Sequence, residues 1–405
     1  MMNYIDGGVC AAKGFKASGV HCGVRKNKSK RDIAMIMSDV PASAAAVYTQ
    51  NLVKGAPLYV TQRHLADGVA QLMLCNSGNA NTCNADGEEV AEAMCVLASE
   101  VSGVKPEDVI VASTGVIGQP LPLEPIRNGI APLYAALDEN GSQMAAEGIM
   151  TTDTKLKEVA VSFTVGGVEC KLGGIAKGSG MIHPNLATML VFLTTDAAIS
   201  PAMLNKALKD NVKDTFNMVS VDGDTSTNDM VSIMANGMAG NAMIDTEGAD
   251  YDIFAAALND VTSSLCRMIA RDGEGASHLL TCKVTGGKTV HDAKLAAKSV
   301  VCSSLLKAAI FGADANWGRV LCALGYSGAD IDVWKVDVSF RSVKGEIQVC
   351  SMGASLDFSE EKAKEILLEE EIEVLVTLRD GDACATAWGC DLTYDYVKIN
   401  GDYRT

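Results

Sequence analysis

An α+β fold, or an α/β fold with antiparallel hairpins, is predicted by three patterns. Val159, Val161, Phe163 and Val165 alternate with Ala160, Ser162 and Thr164, then Gly166-Gly167 turns the chain into a second extended run from Val168 to Leu172. That is the pattern of a β-hairpin. Leu204, Leu208, Val212 and Phe216 recur at helical spacing, as do Phe254, Leu258, Val261, Leu265 and Met268. Such strands and helices are interleaved in both halves of the chain, which favours mixed sheets over an all-α or all-β class. With 405 residues, 48% of them hydrophobic and 21% charged, the chain can bury a large core in two or three units or two fused halves.

In order, residues 1–60 carry short extended pieces such as Asp32 to Met37 and Ala46 to Thr49. A further apolar piece, Gln71 to Cys75, runs into Asn76-Ser77-Gly78-Asn79-Ala80-Asn81, either an ordinary polar loop or one whose backbone approaches a ligand. Asp86 and Glu89 are spaced as a capping box for a helix with Val90, Met94, Leu97 and Val101 on one face, closed by Gly103. Val109 to Ala112 reads as a central strand emptying into Ser113-Thr114-Gly115-Val116-Ile117-Gly118, the place where sites gather in α/β sheets, although a structural turn explains those residues equally well. A second helix is expected over 123–138, then the Thr-rich Thr151-Thr152-Asp153-Thr154 and the hairpin. Later elements are Ser200-Pro201 as cap and first residue of a helix, a long helix from about Tyr251 to Ile269, and a strand from Ser277 to Val284. A helix from about Ala293 to Phe311, the piece Asn316 to Leu324, strands near 333–349, a helix at Glu360 to Glu369 and a strand Ile372 to Leu378 complete the body.

Several functions are excluded at this level. Lys and Arg number 34 against 50 Asp and Glu, a net charge of −16 that disfavours a nucleic-acid surface. The 13 cysteines form no C-x-x-C pair, so neither a metal site nor a disulfide framework is signalled, and reduced, mostly buried thiols are expected. The N-terminus lacks a signal-peptide pattern and no apolar run reaches the ~18 residues of a membrane span, so a cytoplasmic protein without membrane partners is expected. Asp222 to Asn228 begins like a calcium loop, but Thr227 stands where Gly is required and Ile233 where Glu is required. Gly286-Gly287-Lys288-Thr289 lacks the first phosphate-loop Gly, which is Cys282, and Gly178-Ser179-Gly180 is followed by His183 where a dinucleotide motif needs Gly.

Chemistry concentrates in Gly173 to Thr195, GGIAKGSGMIHPNLATMLVFLTT. A Gly-rich loop bearing Lys177 leads through His183-Pro184-Asn185 to Thr188, which stands at the start of an apolar run, Met189 to Leu193. In an intact chain such a threonine is a packing choice. If the chain is cut just before it, Thr188 becomes a nucleophile whose own α-amine, a group that ordinarily titrates at about pH 7.7–8.0, serves as general base. The cut itself needs only attack by the Thr188 hydroxyl on the Ala187 carbonyl, an N-to-O acyl shift, and hydrolysis of the ester. The chemistry would need an oxyanion stabiliser, for which Thr114-Gly115 is suited, and a cation such as Lys177 to tune the amine or bind a carboxylate. On spacing alone the packing reading is the favoured one.

The stretch Lys177 to Leu190 resembles the self-cleavage signature of the ornithine acetyltransferases, or glutamate N-acetyltransferases, of arginine biosynthesis. The resemblance extends in order through Ser113 to Gly118, Met150 to Thr154, Arg271 to Gly275, Gly312 to Arg319 and Ile399 to Thr405. It implies the Thr-nucleophile self-cleaving fold shared with DmpA-type aminopeptidases, an α/β sandwich of mixed sheets packed with helices, and a cut at Ala187–Thr188 into an α chain, 1–187, and a β chain, 188–405, assembled as an α2β2 heterotetramer. It implies Thr188 as nucleophile, Thr114 and Gly115 as oxyanion pair, and Thr154, Lys177, Thr188, Glu274, Asn400 and Thr405 as substrate-binding residues. The implied substrates are N-acetyl-ornithine, ornithine and glutamate. No metal or resident cofactor is implied, with acetyl-CoA as a candidate second donor. A self-cleaving Thr aminopeptidase or amidohydrolase is the alternative with the same nucleophile.

Overall fold

The computed structural model describes residues 2–183 and 189–402. Among them, nine strands form one sheet and seven a second. The first sheet comprises β1 (Asn3–Ile5), β2 (Phe15–Val20), β3 (Ile33–Tyr48), β4 (Val69–Asn76), β5 (Val109–Ser113), β6 (Lys157–Val165), β7 (Val168–Lys177), β8 (Leu190–Thr195) and β10 (Met230–Ala235). The second comprises β9 (Val219–Ser220), β11 (Leu279–Gly287), β12 (Asp337–Ser342), β13 (Gly345–Ser351), β14 (Ala354–Ser355), β15 (Glu371–Thr377) and β16 (Ala383–Cys390). The helices are α1 (Ala56–His64), α2 (Gly87–Ser102), α3 (Leu123–Ala135), α4 (Ser142–Ile149), α5 (Pro201–Asn211), α6 (Ala249–Arg271), α7 (Val290–Cys302), α8 (Ser304–Phe311), α9 (Trp317–Gly325), α10 (Glu360–Leu367) and α11 (Tyr394–Asp402). Both sheets are mixed, so the expected class holds. In the first sheet β8 runs parallel to β10 and β4 to β5, with antiparallel partners elsewhere.

The hairpin forms as its alternation predicts, with Val165 opposite Val168 and a turn in which Gly166 and Gly167 have φ of 55° and 81°. Positive φ at both central residues is the reason for two glycines. Ala160 and Ser162 on the other strand face are buried as well, while Thr164 is exposed. Helix α6 packs on β6 and β7 on one side and on β11 and β16 on the other, filling the space between the sheets. Its stripe, Phe254, Leu258, Val261, Leu265 and Ile269, is fully buried and joins both sheets in one core, with Met268, expected on that face, half-buried beside it. Helix α4 covers β2 and β3, while α1 and α2 pack on β5, α2 also reaches β4, and α3 packs on α2, β2 and β3 over a separate cluster.

Several boundaries differ from the sequence pattern for local reasons. The two pieces expected within residues 32–49 are one strand, β3, which crosses Pro41 where its register with β4 shifts between Met37 and Ala42. The capping box is not made: Asp86 forms no side-chain cap bond, and the buried stripe of α2 is Ala91, Met94, Cys95, Leu97 and Ala98, so Met94 and Leu97 are buried as expected while Val90 and Val101 are half-buried. Gly103 does end that helix in the left-handed conformation. The helix expected over 123–138 stops at Ala135, and α4 follows. Ser303 splits the helix expected near 293–311, its extended backbone and hydroxyl capping α8 at Leu306 N. β11 runs on through Gly287, beyond the end expected at Val284.

Phe254 meets Phe163 edge-on with ring centroids 6.3 Å apart. Phe254→Ala removes that contact at the junction of the two sheets and should lower stability by about 3–5 kcal/mol in urea unfolding.

Candidate active site

Three chain segments converge at the end of β5. Beyond Ser113 the chain turns at Thr114 and Gly115 against the Asn-rich loop that follows β4. Asn76 builds that loop: its Oδ1 accepts from the N–H groups of Gly78 (3.2 Å) and Asn79 (3.1 Å), and its amide donates to Ser113 Oγ at 2.6 Å. Gly115 has φ of 129°, and a Cβ there would stand 2.8 Å from Asn79 N and from Gly78 C, so only glycine fits. Thr114 spends its N–H on Asn76 O at 2.9 Å. Its hydroxyl and the Gly115 N–H, which have no hydrogen-bond partner among the described residues, are therefore the donors left for a ligand oxygen.

The second segment is the end of β7. Lys177 is its last residue, 8% exposed, and lies opposite Leu190 in the β7–β8 pairing, so residues 178–189 bridge paired strands. Behind Lys177 sits a buried ion cluster. Lys157 Nζ lies 2.7 Å from Asp153 Oδ1 and 2.6 Å from Asp272 Oδ2, all three side chains being nearly inaccessible. Asp153 also accepts from Gly178 N (2.7 Å) and Thr151 N (3.0 Å). Burial alone would raise the Asp153 carboxyl, but the charges of Lys157 and Lys177 and these bonds hold it well below the usual range. Asp272 accepts from the Thr154 hydroxyl and N–H, Ser179 Oγ donates to Asp272 O at 2.7 Å, and Glu274 N donates to Ser179 O at 2.9 Å. Glu274 thereby lies against Gly180, where any Cβ would overlap its carboxylate.

The third segment, 220–229, carries the run that fails as a calcium loop, and it holds the loop leading toward Thr188. Asp222 accepts from Met181 N (2.6 Å) and Ile182 N (2.9 Å), which supports Met181 at φ 55°. Val221 N donates to Ile182 O at 2.7 Å, and the Thr225 hydroxyl to His183 O at 2.7 Å. His183 Nδ1 is 3.1 Å from Ser220 Oγ, and burial with the nearby Lys298 charge lowers its pKa to about 4, so the ring is neutral at pH 7. Asp229 is fully buried and its Oδ2 has no hydrogen-bond partner among the described residues. Burial raises its carboxyl well above the usual range, only partly offset by Ser226 and Lys177.

These segments enclose a cavity of about 280 Å³ lined by Thr114, Gly115, Lys177, Glu274 and Asn400, with Thr151, Thr152, Gly180 and the 226–228 run. Asn400, on α11, donates to Glu274 Oε2 at 2.7 Å. Five of the expected site residues thus meet. Thr154 does not: its hydroxyl is committed to Asp272 and it faces a neighbouring cleft, while Thr151 and Thr152 take the place expected of it. Ala187, Thr188 and Thr405 lie outside the described residues. Ser226, Thr227 and Asn228 enter the sequence reading only within the run rejected as a calcium loop, and Asp229 not at all; they lie just before a buried strand, β10, whereas Ser113 to Gly118 leave the end of one.

The ArgJ family model matches residues 16–405. The Arginine biosynthesis bifunctional protein ArgJ of Caldanaerobacter subterraneus subsp. tengcongensis is 51% identical over 405 residues, covering all of both chains. A crystal structure of the Arginine biosynthesis bifunctional protein argJ from Bacillus halodurans is 44% identical with a TM-score of 0.50, covering 53% of this chain and 98% of that one. An ornithine acetyltransferase from Mycobacterium tuberculosis, crystallised with ornithine, is 32% identical with a TM-score of 0.43, covering 46% of this chain and all of that one.

Lys157→Met leaves Asp153 and Asp272 buried and facing each other without their cation. It should cost about 3–5 kcal/mol in denaturant unfolding. Because the folded Asp153 pKa is depressed, its contribution is complete above about pH 4 and is lost as pH falls below the unfolded carboxyl value. The difference in unfolding midpoint between wild type and Lys157→Met should therefore shrink on acidification from about pH 6 to about pH 3.

Proposed function

Because the chain belongs to the ArgJ family, we propose that it is an acetyltransferase of arginine biosynthesis, moving the acetyl group of N2-acetyl-L-ornithine to L-glutamate through an acetyl-threonine at Thr188. The observation that carries this reading is the cavity in which Thr114, Gly115, Lys177, Glu274 and Asn400 converge from distant parts of the sequence. It lies beside the start of β8, and Thr188 stands two residues before Leu190 in the chain.

Maturation begins with the Thr188 hydroxyl adding to the Ala187 carbonyl. The C–N bond breaks, the nitrogen takes the hydroxyl proton, and water then hydrolyses the ester to leave Ala187 as a carboxylate and Thr188 with a free amine. The products are the chains 1–187 and 188–405, which we place in an α2β2 assembly. The solved Bacillus halodurans chain supports this division, since 53% of the present chain accounts for almost all of it. In the transfer reaction the Thr188 amine takes the hydroxyl proton as the oxygen attacks the acetyl carbonyl of acetyl-ornithine. The developing oxyanion is met by the Thr114 hydroxyl and the Gly115 N–H, and the proton passes to the departing ornithine amine. The glutamate amine then attacks the ester and carries the acetyl away.

Lys177 supplies the cation for a substrate carboxylate, and Glu274 the anion for the ornithine ammonium. Thr154 contributes through Asp272, and Thr405 remains assigned to substrate by resemblance. The relatives' description as bifunctional supports a second activity, and we extend the proposal to acetyl-CoA as an alternative donor, with no resident cofactor or metal, in a cytoplasmic enzyme. Among the described residues no helix is long and apolar enough to cross a membrane.

Purified wild type should run as two fragments in a denaturing gel and make N-acetylglutamate from N-acetyl-ornithine and glutamate. Acetate and ornithine alone would instead identify the aminopeptidase-like hydrolase. Thr188→Ala should stay a single full-length chain without transfer activity, and normal turnover in that variant would overturn the mechanism.

A further inference from the structure

In the proposed reaction the nucleophile and its oxyanion donors fall on opposite sides of the cut. Thr114 and Gly115 belong to 1–187, and Thr188 opens 188–405. Once residues 187 and 188 are separated, no covalent bond fixes their relative position. Something in the second part must hold the oxyanion turn in register with β8.

Asn228 occupies that position. It is 5% exposed and stands two residues before the start of β10, the parallel neighbour of β8, where Met230 pairs with Leu190 and donates its N–H to Met189 O at 2.9 Å. Its amide Nδ2 donates to Ser113 O at 2.9 Å and to Ala80 O at 2.5 Å. Its Oδ1 accepts from Thr82 Oγ1 at 2.5 Å and from Thr227 Oγ1 at 2.6 Å. Three of these four bonds cross from the 188–405 part to the 1–187 part.

The Ser113 bond bears most directly on catalysis. The Ser113 carbonyl and the Thr114 N–H belong to one peptide group: Asn228 holds the carbonyl, and Asn76 O holds the N–H at 2.9 Å. With both sides pinned, that peptide plane fixes the direction of the Thr114 side chain and of the Gly115 N–H beyond it. The surroundings are built to admit the amide, because a Cβ at Gly55 would overlap it, while Gly55 N donates to Thr227 O at 2.9 Å.

We infer that Asn228 is a positioning residue for the oxyanion turn, locking Thr114 and Gly115 of one chain to the strand beside the nucleophile of the other. It supplies alignment that matters only when charge develops on the substrate oxygen, so its loss acts on the rate of acetyl transfer and not on substrate affinity. The same turn stabilises the oxyanion formed at Ala187, so self-cleavage depends on it too.

The inference rests on the proposed Thr188 chemistry, and the test keeps the two apart. Asn228→Ala, Thr114→Ala and the double variant are compared in the full-length chain. The readouts are the self-cleavage rate, the single-turnover rate of Thr188 acetylation by N-acetyl-ornithine, the ornithine dissociation constant and the unfolding midpoint. Asn228→Ala should slow cleavage and acetylation by about 10- to 100-fold with ornithine affinity within about twofold, and the double variant should be hardly slower than Thr114→Ala alone. Where Asn228→Ala does not fold, Asn228→Asp replaces it, keeping the acceptor for Thr82 and Thr227 while removing the donors to Ser113 and Ala80. Rates at the wild-type level, fully multiplicative effects with Thr114→Ala, or a loss confined to ornithine affinity each overturn the role of Asn228. Cleavage or transfer persisting in Thr188→Ala overturns the nucleophile reading instead.

Discussion

The Lys157 ammonium, buried between Asp153 and Asp272, is the interaction on which the rest of the site depends. A lysine so deeply placed is tolerated only because two carboxylates and their own hydrogen bonds surround it. The consequence is geometric. Asp153 reaches forward to Gly178, just past Lys177, and back to Thr151. Asp272 takes the Thr154 hydroxyl and, through its carbonyl and Ser179, sets the height of Glu274. One cluster thus fixes the loop before β6, the end of β7 and the end of α6, the three places that supply the cavity with Thr151 and Thr152, Lys177 and Glu274.

That arrangement also makes a cut chain workable. β8 has β7 on one side and β10 on the other, and Leu190 is paired with both Lys177 and Met230. A break between 187 and 188 removes no strand pairing among the described residues, because the sheet runs across the division between the two products. The same holds at the second level: Asn228, Thr49 with Asp229, and Gly55 with Thr227 link the parts through hydrogen bonds. In the proposed enzyme, cleavage would release an amine without loosening the framework that aims at it.

How far the sequence disclosed this depended on whether a signal was periodic. The hairpin and α6 were legible because one repeated pattern sets each buried stripe. The joining of β3 across Pro41 was not, since proline and exposed polar residues mark a break unless the neighbouring strand's register shift is known. Thr154 and Thr152 could not be told apart from sequence, because which of them faces the cavity is decided by Asp272, more than a hundred residues away. The 222–228 run resembles a metal loop in its early spacing and fails as one at Thr227 and Ile233. Its function as a bracket became visible only once β8 and β10 were known to be parallel neighbours. Thr114 and Gly115 were more accessible, because small residues leaving a fully apolar strand are a general mark of a site.

The electrostatics of the cavity bear on how one site could serve two amino acids whose side chains differ in charge. The overall charge of −16 opposes glutamate only weakly at contact distance, since bulk charges are screened beyond about 8 Å at physiological salt. What counts is the wall. Lys177 has no hydrogen-bonded or ion-paired partner among the described residues, while Asp229 beside it binds a proton more readily than an ordinary carboxyl because it is buried, so the local balance on that side favours an anion. Opposite, Glu274 is not a bare carboxylate: the Asn400 amide lies against it at 2.7 Å and also donates to Tyr396 O at 3.1 Å. In the proposed reaction an ornithine ammonium would meet Glu274, whereas a glutamate carboxylate would need a donor, and the Asn400 amide stands at the same place. An acid paired with an amide that can turn from it to the ligand accommodates either charge without rebuilding the pocket, which a lone Glu or a lone Lys could not do.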